Sequence, residues 1–125
     1  MKQEIEYIND KMILVRKVRG KLDFSELYDF WVDLIENKKI DPGIRGIIND
    51  LRGSELNMTI PDVKKLIMLF EANSDIFLGK RMAVVTDSSQ NIVFPMIGQK
   101  ITSKIEVRPF STFQAATDWI LNLIE

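Results

Sequence analysis

The pattern of apolar and polar positions opens with two strand-like runs, at residues 4–8 and 11–19. Asn9 and Asp10 stand between the runs, and both residue types tolerate the positive φ that a two-residue hairpin turn requires. The start of the chain is therefore predicted to form an antiparallel hairpin.

The next segment repeats its apolar residues every three or four positions, which is the period of an amphipathic helix. Asp23 or Ser25 can cap its start, and the lysines of residues 37–39 suit its C-terminal end. Its apolar stripe contains Phe24, Leu27, Tyr28, Trp31, Leu34 and Ile35. We expect the tryptophan of this stripe, and Trp119 near the end of the chain, to lie in the core.

Further along, short apolar runs typical of strands covered on both faces alternate with helical patterns. The predicted strands are 45–51, 80–86 and 105–110, and the predicted helices are 60–73, a shorter one within 89–101, and a last one from residue 113. The order is β-β-α-β-α-β-α-β-α, which predicts one α/β domain over residues 1–125. We expect a mixed sheet, with the N-terminal antiparallel hairpin and parallel strands joined by right-handed helical crossovers.

Composition narrows the range of functions. The chain contains neither cysteine nor histidine, so disulfides, the usual zinc sites and a Ser-His-Asp triad are excluded, and neither catalysis nor a cofactor is expected. A net charge of −1 argues against binding nucleic acid. No apolar run is long enough for a transmembrane segment and no signal peptide is evident, so a cytoplasmic location is expected.

Three segments resemble the STAS domain, the SpoIIAA-like fold of the anti-sigma-factor antagonists and of short bacterial STAS-like proteins. They are 47–53 (IINDLRG), 82–87 (MAVVTD) and 107–113 (VRPFSTF), the last followed by Ala116 and Trp119. The resemblance covers nearly the whole chain. It implies a regulatory protein-binding module, whose contact surface includes the loop after the third strand and the start of the second helix.

In the antagonists, an Asp-Ser-Ser-Gly-type sequence supplies a phosphorylatable hydroxyl at the start of the second helix. At the corresponding position this chain has 58–61 (MTIP), where only Thr59 offers a hydroxyl and the glycine is missing. A similar sequence at Asp87 and Ser88 follows the fourth strand instead of the third. This departure leaves the fold and a binding role as what the resemblance implies.

Two interpretations remain open for the start of the second helix. Thr59 and Asp62 have the spacing of a capping box. Alternatively, Thr59 is a phosphorylation or partner-contact site, because a phosphate there would meet the positive helix end and Arg52 could pair with it.

Charged residues elsewhere carry weaker signals. Asp50 and Asp87 follow neighbouring strands, so they either cap loops or hold a magnesium ion in a hydrolase. The basic residues of 11–21 are interpreted as a solvated face that discourages edge pairing, the alternative being a patch for phospholipid or an acidic partner.

The segment 92–97 is apolar nearly all the way round, which makes it either core or an exposed contact for a partner or lipid. Phe94 and Met96 would be its anchors, and Met68 and Leu69 on the second helix could widen the same area. Two functions follow as hypotheses: a regulatory module with a protein partner, and a carrier or sensor of a lipid or other apolar ligand. Whether the chain forms a homodimer is left open.

Overall fold

The computed structural model describes residues 2–88, 91 and 105–122. Within them lie six strands and four helices. The strands are β1 (Lys2–Ile8), β2 (Ile13–Asp23), β3 (Gly46–Asp50), β4 (Ser54–Asn57), β5 (Arg81–Val85) and β6 (Glu106–Phe110). The helices are α1 (Phe24–Glu36), α2 (Ile60–Ala72), α3 (Ser74–Phe77) and α4 (Phe113–Ile120).

The strands form one mixed sheet in the order β1-β2-β3-β5-β6, and β4 pairs with β2 beside this path. Only the β1–β2 pairing is antiparallel. The long strand β2 pairs with β3 through its first half, from Ile13 to Lys17, and with β4 through its second half, from Gly20 to Asp23. The predicted hairpin and the predicted parallel strands are confirmed.

The hairpin turn is longer than predicted. Ile8 pairs with Ile13, so four residues connect the strands instead of two. Asn9, Asp10 and Lys11 all adopt positive φ, at 53°, 54° and 63°. The reason is that Lys11 and Met12, predicted to begin the second strand, belong to the turn, and the Met12 amide donates to the Asn9 carbonyl over 3.1 Å.

Each face of the sheet buries its own apolar cluster. Alternation along β2 places Leu14 and Val18 on the face covered by α1 and α2, and Ile13 and Val15 on the face covered by α4. Trp31 lies in the first cluster and Trp119 in the second, at 1% and 3% exposure, as predicted. The sheet is therefore covered on both sides, which explains the nearly continuous apolar runs of its parallel strands.

Side chains cap the helices as the sequence predicts. Asp23 accepts from the Glu26 amide at the start of α1, and Glu26 accepts from the Asp23 amide in return. The helix ends at Glu36, with Asn37 as its C-cap. Of the two predicted N-caps for this helix, Asp23 is the one observed.

The helix predicted within 89–101, with Phe94 and Met96, lies outside the described residues apart from Asn91. Among the helices that the structure describes, none is long and apolar enough to cross a membrane.

Candidate functional site

A buried carboxylate lies at the C-terminal end of β3. Asp50 is fully buried, and Arg52 approaches it as a fork, with Nε 2.9 Å from Oδ1 and Nη2 2.9 Å from Oδ2. Arg19 adds a third contact from β2, with its Nη2 3.1 Å from Oδ2. The Arg52 backbone amide also donates to Oδ1, over 3.2 Å. We call Arg19, Asp50 and Arg52 the edge cluster.

Charge and burial act against each other at Asp50. Burial favours the neutral acid, but hydrogen bonds from Arg52 and Arg19 outweigh it and hold the pKa of Asp50 below its ordinary value. The same contacts raise the pKa of Arg52, and the charge of Asp87 adds to that rise. Asp50 and Arg52 are therefore both charged at neutral pH.

The structure brings part of the predicted site together here. Asp87 is exposed and close enough to Arg52 to stabilise its charge, and Ser88 follows it in the chain. The Ser88 amide donates to the Thr86 hydroxyl over 3.1 Å, which fixes the start of this loop. Arg52, Asp87 and Ser88 thus share the edge where β3 and β5 end.

Thr59 and Asp62 form the predicted capping box at the start of α2, away from the edge cluster. The Thr59 amide donates to the Asp62 carboxylate over 2.9 Å, and the Asp62 amide donates to the Thr59 hydroxyl over 3.3 Å. The suggested pairing of Arg52 with Thr59 is not present, because the Arg52 guanidinium is held by Asp50.

The separation of the two groups has a topological cause. Asp50 shares the sheet face of Ile48, which α4 covers, whereas α2 packs on the opposite face. In addition, β4 carries the chain forward along β2: Asp50 lies opposite Lys17 and Asn57 opposite Asp23, six residues further on. At about 3.3 Å per residue, that places the start of α2 roughly 20 Å beyond the end of β3.

A magnesium site at Asp50 and Asp87 finds no support in this geometry. Both Asp50 oxygens already accept hydrogen bonds from arginine. Across the described residues, no three acidic, histidine or cysteine side chains are grouped so that they could hold a metal ion.

The interpretation of the basic residues of 11–21 as a solvated face that guards an edge is wrong for β2. This strand is interior, with β1 on one side and β3 and β4 on the other. Lys17 pairs with Glu6 over 3.0 Å and Arg19 pairs with Asp50 over 3.1 Å. Arg16 is 3% exposed and lies in the core.

Arg16 and Asn49 form a polar pair on an otherwise apolar face. Arg16 Nε donates to Asn49 Oδ1 over 2.9 Å, and Asn49 Nδ2 donates to the Ala83 carbonyl over 3.2 Å. The sequence contained a signal for this placement, because Arg16 alternates with the buried Leu14 and Val18 along a strand of period two. This signal is obscured in the sequence because Arg16 stands in a run of basic residues, which indicates a solvated face.

An apolar cavity of about 80 Å³ lies between this face of the sheet and helices α1 and α2. Apolar residues make up most of its described wall, including Trp31, Val63, Phe70 and Val84. The polar wall residues are Arg16, Asn49 and Asn91.

Asn91 contributes an unsatisfied acceptor to this cavity. The residue is 1% exposed, and its Nδ2 donates to the Ser54 carbonyl over 3.1 Å. Its Oδ1 is buried, and no partner for it is found in the part of the chain that the structure describes. The cavity is therefore apolar in most of its wall but carries a cation and a free acceptor.

Comparison with known proteins supports the fold at low sequence identity. An uncharacterized protein of the DUF3478 family with a SpoIIAA-like fold, from Shewanella loihica PV-4, matches with a TM-score of 0.65 and 20% identity, over 95% of this chain and 92% of that chain. The anti-sigma factor antagonist SpoIIAA in its unphosphorylated form matches with a TM-score of 0.52 and 13% identity, over 96% and 98% of the two chains.

No protein-family model and no curated protein matches the sequence. Both structural likenesses extend over nearly the whole chain, 95% and 96% of it. This chain has the SpoIIAA-like, or STAS-like, α/β fold.

Proposed function

We propose that this chain is a non-catalytic regulatory domain that binds a protein partner. The proposed contact surface comprises the loop after β3 and the start of α2, with Arg52, Thr59, Ile60 and Asp62 as its residues. The SpoIIAA-like fold and the resemblance of 47–53 to the antagonists support this proposal. Asp87 and Ser88, beside Arg52, extend the surface along the sheet edge.

The exposed start of α2 is the observation that carries the proposal. Ile60 is 55% exposed, and it lies between Thr59 and Pro61, both exposed as well. The capping box and the proline restrict the backbone at this point, so the apolar side chain is presented in a fixed position. An apolar anchor with a charged rim is typical of protein-binding surfaces.

Phosphorylation of Thr59 is part of the proposal. A phosphate would gain from the positive end of α2, but it would replace the capping hydroxyl and lie beside the Asp62 carboxylate. Because these effects oppose each other, phosphorylation of Thr59 would change the charge of the contact surface without raising the free energy of unfolding.

A matched pair of substitutions tests the contact surface. Ile60→Asp and Met68→Asp each place a charge at an exposed apolar position of the same helix, since Met68 is 67% exposed. In co-purification from cells, we expect Ile60→Asp to recover at least tenfold less of a stoichiometric partner than the unmodified chain does. Met68→Asp should recover as much of it as the unmodified chain. The second proposed anchor region consists of Phe94 and Met96. Phe94→Asp tests this region in the same assay.

Two outcomes contradict the proposal. The first is that Ile60→Asp retains the partner as fully as the unmodified chain does. The second is that no stoichiometric partner co-purifies with the unmodified chain. Circular dichroism of each variant separates lost contacts from lost folding.

A second function, carrier or sensor of an apolar ligand, is favoured by the cavity between the sheet and helices α1 and α2. An apolar space of this size within the main core is uncommon in a small domain, because interiors are ordinarily packed to high density. The cavity has a different location from the contact surface, so the two functions are compatible.

A further inference from the structure

We infer that the cavity binds a small amphipathic monocarboxylate, whose carboxylate pairs with Arg16 while its apolar body fills the space beneath α1 and α2. The inference rests on the second function proposed above and specifies its ligand class. It is carried by the pairing needs of Arg16, the size of the cavity and its largely apolar wall.

Arg16 is a buried cation that has no carboxylate partner among the described residues. Within the described residues its hydrogen bonds go to neutral groups, with Nε donating to Asn49 and Nη1 to the Gln3 amide oxygen over 3.3 Å. None of the ion pairs among the described residues includes it. The undescribed positions between Ser88 and Ile105 contain no aspartate or glutamate, so that part of the sequence supplies no counter-charge either.

The contacts that Arg16 does make compensate only part of the cost of its burial. Its guanidinium lies 4.8 Å from the ring centre of Trp31 and 5.6 Å from that of Phe30, both on α1. Cation–π contacts of this kind favour a charge less strongly than burial penalises it. Burial lowers the pKa of the Arg16 guanidinium from its usual 12.5 to about 9, so the side chain is charged but poorly stabilised at neutral pH.

A carboxylate is the group that matches this arrangement. Nη2 of Arg16 has no hydrogen-bond partner in the described part of the chain, and a planar carboxylate can accept from the guanidinium as a fork. The surrounding wall is apolar, which favours a singly charged head on an apolar body over a strongly hydrated dianion such as phosphate.

Size and polarity restrict the ligand further. The cavity measures about 80 Å³, whereas a cavity of about 150 Å³ accepts benzene, so a short aliphatic chain is the appropriate body. The buried Oδ1 of Asn91 has no donor among the described residues, and a carboxylate, which only accepts, does not supply one.

Calorimetric titration of the purified full chain with propionate and with propionamide provides the test. The two probes have nearly the same shape and differ in charge. We expect propionate to bind at least about tenfold more tightly than propionamide, since a charge-assisted hydrogen bond to a buried guanidinium is made only by the acid.

Two substitutions assign the preference to Arg16. In Arg16→Met, which keeps a long apolar stem, we expect propionate to lose its advantage over propionamide. Arg108→Met is the matched control, because Arg108 also lies over a tryptophan, at 4.9 Å from Trp119, but on the opposite side of the sheet and exposed. That variant should retain the full preference.

The outcomes separate the inference from the function on which it rests. Equal binding of propionate and propionamide to the unmodified chain would overturn the carboxylate site and leave an apolar carrier standing. Failure of propionate, propionamide and 1-propanol alike to bind would overturn both. If Arg16→Met does not fold, the comparison of the two probes on the unmodified chain still decides the inference.

Discussion

Asp50 ends β3 with its carboxylate removed from solvent, and Arg19 and Arg52 hold it there by three side-chain hydrogen bonds. Both arginines are themselves two-fifths exposed, at 41% and 44% of their side chains. The cluster therefore joins a buried anion to two cations that water still reaches. Its contribution to stability is intermediate between that of a surface ion pair and that of a fully buried one.

Asp50→Asn tests that contribution. The substitution leaves the two arginines without an anion, and we expect the free energy of unfolding at pH 7 to fall by about 2 kcal/mol, less than the ~3–5 kcal/mol for breaking a fully buried pair. Urea unfolding measures it. Asp33→Asn is the matched control, since Asp33 pairs with Lys39 at the surface and should lose much less.

The same pair of proteins has a defined pH dependence. The folded pKa of Asp50 is below its unfolded value of about 3.8, so its contribution is complete above that pH and disappears as pH falls through the folded pKa. The stability difference between the unmodified chain and Asp50→Asn should therefore be constant from pH 5 to 7 and shrink below about pH 4. A difference that grows on acidification would contradict the ionised cluster.

Arg16 shows what single-residue patterns can and cannot convey. Its neighbours Leu14 and Val18 predict that it faces inward, but Lys17 and Arg19 beside it suggest an exposed basic run. The conflict is resolved by β3, which places Asn49 opposite Arg16 as a buried hydrogen-bond partner. That pairing depends on the register of two strands more than thirty residues apart, which sequence periodicity does not determine.

At the scale of elements, the long parallel strands and the capped helices were predictable because each has a local signal. The spacing of Thr59 and Asp62 alone predicts the start of α2. The short strand β4 had no such signal, since Glu55 and Asn57 are polar and its four residues follow Gly53 directly. It forms because the second half of β2 would otherwise lack a parallel partner on that side.

The missing β4 also explains why one predicted site became two. Without it, the chain from Asp50 to Thr59 is a simple loop, and Arg52 is expected beside the start of α2. With it, the chain runs six residues further along β2 before α2 begins on the opposite face from Asp50. One short strand, β4, therefore determines whether Arg52 and Thr59 lie close together.

Close packing of α4 against β3 depends on Gly46. A Cβ at this position would lie 2.7 Å from Cγ2 of Ile120 and nearer still to the carbonyl oxygen of Arg81, which belongs to the neighbouring strand. Because backbone cannot move aside as a side chain can, Gly46→Ala should destabilise the fold by about 1–3 kcal/mol.

Chemical unfolding of Gly46→Ala beside Gly43→Ala measures this effect. Gly43 is exposed, and an added Cβ there meets only a side-chain oxygen of Asp41, at 3.2 Å. The control should stay within about 0.5 kcal/mol of the unmodified chain. Similar stability for the two variants would mean that α4 does not pack on β3 as described.

At the scale of the whole molecule, the sheet separates two regions with different proposed roles. The face under α1 and α2 encloses the cavity with Arg16 and Asn91, and the C-terminal strand ends carry the edge cluster. The proposed contact surface has two parts, Arg52 at this end and the start of α2 roughly 20 Å further along β2, which β4 connects. Helix α2 contributes Ile60 to the proposed surface and Val63 to the cavity wall.

The arrangement predicts where a partner protects the chain. Hydrogen–deuterium exchange can be measured on the free chain and on its complex with the co-purified partner. The comparison covers every segment in one experiment. In the complex we expect slower amide exchange at residues 52–62 than in the free chain, with little change along β1. Slowed exchange confined to β1 or α4, with residues 52–62 unaffected, would contradict it.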